Sequence, residues 1–134
     1  MKGHKFADTE TLQLLAYYCK RIATVVDACQ NQFDTFMQDE DKIDVMSLNM
    51  IQLGERINSN LSNTFKEKYT EIPWRDYIAM RNKLTHAYFE LDEELLWDSA
   101  ITDVPILHDF CLSRLAEAGA EIPSSIRETG EARE

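Results

Sequence analysis

Apolar residues recur at three- and four-residue spacing along most of the chain, and no two-residue alternation bounded by turn residues marks a strand, so the pattern predicts an all-α protein. Leu12, Leu15, Ala16, Cys19, Ile22, Ala23 and Val26 form one stripe of a first helix that runs to about Phe36, with Asp8 or Thr9 as its cap. The acidic, turn-like stretch from Gln38 to Lys42 separates it from a second helix, about Asp44 to Thr64. One face of that helix mixes Leu48, Ile51 and Leu61 with Glu55 and Asn58. Gly54 lies inside it, where glycine costs about 1 kcal/mol relative to alanine, and close approach of another helix would account for its presence. Pro73 is placed to open a third helix, in which Trp74, Tyr77, Ile78, Met80, Leu84 and Leu91 supply apolar contacts. Asp92 can cap a short fourth helix with Glu93 and Glu94 in its first turn, and Asp103 with Pro105 can start a fifth that runs to about Ala118. Short links between these elements point to an up-and-down bundle of four to five helices. Residues 1–118 form one domain, and residues 119–134 read as a polar, mobile tail.

Composition narrows the setting. The length of 134 residues and 44% hydrophobic content suit one globular unit. Cys19, Cys29 and Cys111 form no metal-like or redox-like pair and fit a reducing compartment as core thiols. The start, from Met1 to Glu10, lacks the apolar run of a signal peptide, and no stretch is long enough to span a bilayer, so a cytoplasmic location is expected. A formal charge of −10 argues against gripping long nucleic acids by a basic field. That charge is unevenly spread, because Lys66, Lys68, Arg75, Arg81 and Lys83 outnumber the acids between Thr64 and His86, whereas the stretch from Ala87 to Asp103 holds acids and no base. Any anion site is therefore local.

Candidate chemistry concentrates on the third helix, in Arg81-Asn82-Lys83-Leu84-Thr85-His86-Ala87-Tyr88. Arginine offers a planar fork of donors that fits phosphate oxygens, and histidine exchanges protons near neutrality. At about 100° per residue, Arg75, Ala79, Asn82 and His86 share one stripe, while Tyr77, Met80, Leu84, Ala87 and Leu91 share the core arc and Arg81 lies at its border. The chain offers no H-x-x-x-H, no paired aspartate ligands beside His86 and no glycine-rich phosphate loop. What remains feasible is metal-free cleavage of RNA, in which a base deprotonates the 2′-OH and a cation stabilises the phosphorane. His86 would be the acid or base and Arg81 would hold the phosphate. Asn82 would orient the histidine or donate to phosphate, with Arg75 and Lys83 as further positioning cations. Read singly, Asn82 and Lys83 suit a solvated surface, and Trp74 with Tyr77 suits a core. His4 and His108 are given no role, and His108 beside Asp109 reads as a surface histidine.

The run from Ile72 to Phe89, with Ile72-Pro73-Trp74, then Met80-Arg81-Asn82, then His86-Ala87-Tyr88, resembles the HepT-like branch of the HEPN superfamily. Asp92, Trp97 and Asp103-Val104-Pro105 follow in the expected places, and Leu53-Gly54-Glu55 is similar to that branch's second-helix signature. The resemblance covers roughly Thr9 to Ala118. It implies a HEPN-like bundle that forms a two-fold homodimer with a composite cleft, and a metal-independent endoribonuclease without cofactor. Such a protein is the toxin of a type VII-like toxin–antitoxin system. The implied partner, in the homodimer's complex or a larger hetero-oligomer, is a minimal nucleotidyltransferase antitoxin that transfers AMP to the tyrosine of the His-x-Tyr motif, here Tyr88. On an unbroken helix Tyr88 would lie on the core-side edge near Tyr77, so its accessibility requires the helix to end or bend near His86. The alternatives are a non-catalytic nucleotide-binding or assembly subunit of a nucleotidyltransferase complex, and a dimeric interaction module without nucleic acid.

Overall fold

The computed structural model describes residues 4–127, and the side chains of residues 8–87 and 89–127 within them. Among the described residues every regular element is helical, with α1 His4–Ala28, α2 Phe33–Met37, α3 Glu40–Ser59, α4 Asn63–Lys68, α5 Trp74–His86, α6 Glu93–Asp98 and α7 Val104–Glu117. A 3-10 turn, Tyr88–Glu90, follows α5, and a π-helical segment, Ser99–Asp103, joins α6 to α7. The long helices pack in the order α5, α3, α1, α7. Leu15, Cys19, Ile22, Met46, Met50, Leu53, Ile57, Leu107 and Leu115 are fully enclosed between them. On α1 this is the stripe that the apolar spacing predicts, whereas on α3 the buried face is that of Met46, Met50, Leu53 and Ile57 and not the predicted one, since Leu48 is exposed and the helix turns a different side to both neighbours. At one end Phe65, Tyr69, Trp74 and Phe110 close the bundle through mostly edge-to-face contacts, with Trp74 and Phe110 at 5.8 Å between centroids.

Several boundaries differ from the sequence expectation. The first helix ends at Ala28, not near Phe36, because Gln30 and Asn31 both take positive φ and fold the chain back, with the Asn31 N–H donating to Val26 O. Its start precedes Asp8, which is no cap. Asp8 instead accepts from the backbone N–H of Ser62 at 2.8 Å and the Ser62 hydroxyl at 2.7 Å, fixing the corner after α3. The second long helix is displaced towards the N-terminus, Glu40–Ser59. Asp39 caps it by accepting from the Lys42 N–H, a bond that holds the Asp39 carboxyl below its usual pKa. Ser62 caps the separate α4 by accepting from the Phe65 N–H.

The third predicted helix stops at His86 and does not include Leu91. Asp92 needs an extended backbone to cap α6, and it accepts from the Leu95 N–H there, so the preceding helix must already have ended. Asp103 makes no capping bond, since the π segment carries the helix into α7 without a break. His108 is buried rather than superficial, because residues 120–127 fold back over it, and its Nε2 donates to Ile126 O at 2.6 Å. Lys20 Nζ also donates to Ser124 O, and Ile126 is buried. Residues 128–134 lie outside the described residues. Burial pushes the Cys19 and Cys111 thiols up, as befits inert core thiols.

Gly54 is where α3 meets α5. A Cβ there would lie 2.3 Å from Arg81 Cβ and 2.5 Å from Tyr77 O, so a side chain cannot enter without separating the helices. At an open helical site, glycine to alanine gains about 1 kcal/mol. Here Gly54→Ala is expected to reverse that sign and cost about 1–3 kcal/mol in urea unfolding. Ile126→Ala is expected to cost about 2–4 kcal/mol in the same experiment, as for a core residue.

Candidate active site

The residues singled out on the third predicted helix occupy three sides of α5. Arg75, Ala79, Asn82 and His86 are all exposed, on the face away from the core residues Trp74, Tyr77 and Leu84. Arg81 and Lys83 sit on opposite shoulders, about 160° apart around the axis. Two side-chain hydrogen bonds to backbone outside the helix fasten its first turns. Trp74 Nε1 donates to Tyr69 O at 2.9 Å, and the Tyr77 hydroxyl donates to Asp103 O at 3.1 Å. Burial of that phenol raises its pKa far above the usual range, so it remains a donor.

Arg81 is the most constrained member. Its stem lies over Gly54, its Nη2 pairs with Glu55 Oε1 at 3.1 Å, and its Nη1 donates to Asn82 Oδ1 at 2.9 Å. The Nε is enclosed without an acceptor among the described residues. The guanidinium is thus aimed by three neighbours while its side chain keeps 31% exposure, enough for a phosphate oxygen to reach it. Asn82 uses its carbonyl oxygen on Arg81, which leaves its amide nitrogen as a donor to a ligand. Thr85 Oγ1 donates back to Arg81 O at 3.0 Å and Asn82 O at 3.3 Å, tying down the last turn.

His86 is the final residue of α5 and is exposed. No hydrogen bond joins it to Arg81 or Asn82 among the described residues, and five helical residues set the Arg81 and His86 side chains about 140° apart and 7.5 Å along the axis. One chain therefore places the two on neighbouring faces rather than in contact. Lys83 lines a different groove of about 360 Å3, where Asp76, Asp98 and Asp103 oppose its charge. The Tyr88 backbone begins the 3-10 turn just beyond the helix, and its side chain lies outside the described residues. Among the described residues, no group of three or more histidine, cysteine or acidic side chains is placed to hold a metal ion. No helix described is long and apolar enough to cross a membrane.

Glu55 is the residue that spacing alone did not assign to the site. Its signal was its position next to Gly54, since a residue beside a helix crossing reaches the same partner that the glycine admits. Asn58, on the same predicted face, makes no comparable contact with Arg81.

A family model described as Ribonuclease HepT-like matches residues 15–113, which contain every one of these side chains. The chain is similar to a "Probable ribonuclease HepT" of Thermococcus cleftensis, with 36% identity over 75 residues, 56% of this chain and 67% of that protein. It is also similar to a protein named "Putative RNase" in Methanocaldococcus jannaschii, 34% identical over 54% of this chain and 60% of the relative. A third relative, of the same printed description in Caldanaerobacter subterraneus, is 34% identical over 56% of this chain and 66% of its own length. The chain thus spans about two thirds of the length of these relatives. No solved structure matches it.

The Glu55–Arg81 pair is partly solvated, and exposed pairs contribute about 0.2–1 kcal/mol. Glu55→Gln is accordingly expected to lower stability by no more than about 1 kcal/mol, with the difference shrinking when urea unfolding is repeated at 1 M salt, where screening acts over about 3 Å.

Proposed function

The chain belongs to the ribonuclease HepT-like family, and we propose that it is a metal-independent endoribonuclease, the toxin of a type VII-like HEPN and minimal nucleotidyltransferase pair, acting in the cytoplasm. The observation that carries this reading is the placement on one rigid helix of an aimed guanidinium, a free amide donor and an exposed terminal imidazole. Two copies packed about a two-fold axis would bring a pair of each to one RNA phosphate, which a single copy does not accomplish given the angle between Arg81 and His86.

In such a cleft the His86 of one copy removes the proton from the ribose 2′-OH. The oxygen attacks the adjacent phosphorus, and the bond from phosphorus to the 5′-oxygen breaks. The departing oxygen takes a proton from the partner's His86. The Arg81 guanidinium and the Asn82 amide donate to the non-bridging oxygens, where charge accumulates in the phosphorane. Products carry 2′,3′-cyclic phosphate and 5′-hydroxyl ends, and DNA is inert because it lacks the nucleophile. Arg75 and Lys83 would assist positioning, Lys83 less so because acids already surround it.

The antitoxin in this reading is a minimal nucleotidyltransferase that transfers AMP to Tyr88. The end of α5 at His86 supports an accessible acceptor, since Tyr88 no longer follows the helical progression that would carry it to the core arc. Phosphates added two residues from His86 would occupy and repel the position of the RNA phosphate. The net charge of −10 favours a second reading, a non-catalytic nucleotide-binding or assembly subunit of a nucleotidyltransferase complex.

RNA cleavage in EDTA separates the two. The unaltered, unmodified protein is expected to yield cyclic-phosphate ends, with Arg81→Ala and His86→Ala each slower by about 100-fold or more. Folded dimers that cut no RNA would give the subunit reading the stronger claim. Co-expression with a minimal nucleotidyltransferase should add the mass of one or more AMP units, and Tyr88→Phe should abolish the addition.

A further inference from the structure

We propose that the groove between α5 and α6 is a docking site for a basic amphipathic helix of a partner protein. This goes beyond the ribonuclease reading and does not depend on it, because the groove lies on the shoulder of α5 opposite Arg81 and is lined by neither Arg81 nor His86.

Two adjoining depressions make up the groove. One, of about 360 Å3, runs beside the first turns of α5, and the other, of about 280 Å3, beside its last turn and the 3-10 turn beyond. Met80, Lys83 and Leu95 line both, so the two are continuous. From Asp76 to Ala87 the groove follows about 16 Å of helix axis. Its floor is apolar. Leu84 is buried beneath it, Met80, Ala87 and Leu91 are half-buried, and Leu95 keeps 41% exposure although Leu96 and Trp97 beside it are enclosed. A strip of this kind accepts apolar side chains presented one turn apart by another helix.

Charge names the occupant. Asp76, Asp98 and Asp103 line one half and Glu90 and Asp92 the other, while Lys83 is the one base among the lining residues. Asp92 is engaged as the α6 cap and Asp103 by the Ser99 hydroxyl, whereas Asp76, Asp98 and Glu90 take no ion-pair or side-chain hydrogen-bond partner among the described residues. Glu90 also follows the negative end of α5, where an acid is unfavourable. These acids repel one another in the folded chain, and a row of lysines or arginines from outside would relieve that repulsion. The same field repels a phosphate backbone, so the occupant is not RNA. It also opposes a second copy, which brings its own charge of −10. A small cation would answer the acids and leave the apolar floor wet. A helix of about 12 residues, with an apolar stripe and basic flanks, answers both and matches the length of the groove.

The probe is a synthetic, fluorescently labelled peptide of about 14 residues, with leucines at i, i+4, i+7 and i+11 among lysines and arginines, titrated with the full chain and read by anisotropy. A control peptide has the same composition with its leucines spread around the helix. The first peptide is expected to bind about tenfold or more tightly than the control. Its affinity is expected to fall by about tenfold or more in Leu95→Gln and in Asp98→Lys. Glu94→Lys, the same change of charge on an exposed residue of α6 outside the groove, is expected to alter affinity by less than about twofold. Amide resonances of Met80, Lys83, Ala87 and Leu95 should shift during the titration, and the spectra of the variants show that they are folded.

Equal affinity for the two peptides, or an equal loss in Asp98→Lys and Glu94→Lys, overturns the proposal, since negative charge alone would then suffice. Undiminished binding by Leu95→Gln, or shifts confined to other parts of the chain, overturns it as well. No binding by the unaltered chain overturns it outright, and self-association that Leu95→Gln abolishes assigns the groove to a second copy instead. None of these outcomes touches the RNA-cleavage test, so the two readings stand or fall separately.

Discussion

The approach of α3 to α5 at Gly54 governs the rest of the site. Three successive residues of α3 divide the work at about 100° intervals. Leu53 is enclosed in the core, Gly54 admits the backbone and stem of α5, and Glu55 reaches past the contact to the Arg81 guanidinium. A methyl group at position 54 would disturb all three together, because the atoms it would strike are Arg81 Cβ and Tyr77 O, a side-chain root and a backbone oxygen that have little room to yield. Packing and electrostatics are therefore one constraint here. The glycine costs helix propensity, and in return the cation is held at its root as well as at its tip.

Charge is organised on the same short scale. The molecule carries −10 overall, and its cations near α5 are partly countered: Arg81 by Glu55, and Lys83 by the aspartates of its groove. Screening over about 8 Å at physiological ionic strength confines what remains to local contacts. Such a surface gains little from counterion release along a long polyanion, so selection of RNA would depend on a phosphate and its 2′-OH fitting a cleft.

Much of the bundle was legible because helical periodicity and punctuation residues act locally. The core stripe of α1, the start of α5 after Pro73, the Asp92 cap and the close approach at Gly54 all rest on interactions within a turn or on a single missing side chain. Two of the failures arose where a distant group decided the outcome. Asp8 looked like a helix cap, but Ser62, 54 residues away, claims both of its oxygens. His108 looked superficial because nothing near it in sequence shows that Ile126 returns to cover it. The turn after Ala28 was readable only in part, since Asn31 tolerates left-handed backbone but Gln30 rarely adopts it. In the site, spacing placed Arg75, Asn82 and His86 on one exposed face, yet it could not supply Glu55, which arrives from another helix.

The distribution of restraint along α5 bears on how such a site would work. Its first turns are fixed by the Trp74 and Tyr77 hydrogen bonds, its middle by the Gly54 contact, and its last turn by the Thr85 hydroxyl. The Tyr77 anchor uses a carbonyl at the end of the π segment, so the wider turn entering α7 also holds the helix that carries the candidate site. Past His86 the helical ladder stops, and the chain leaves through a 3-10 turn in which Phe89 is fully exposed. Phosphate-holding groups benefit from rigidity, because each degree of freedom removed beforehand is not lost in the transition state. A proton-transfer group must instead follow an oxygen that shifts as its bond to phosphorus forms or breaks. The imidazole stands where the restraint ends, and the guanidinium where it is greatest.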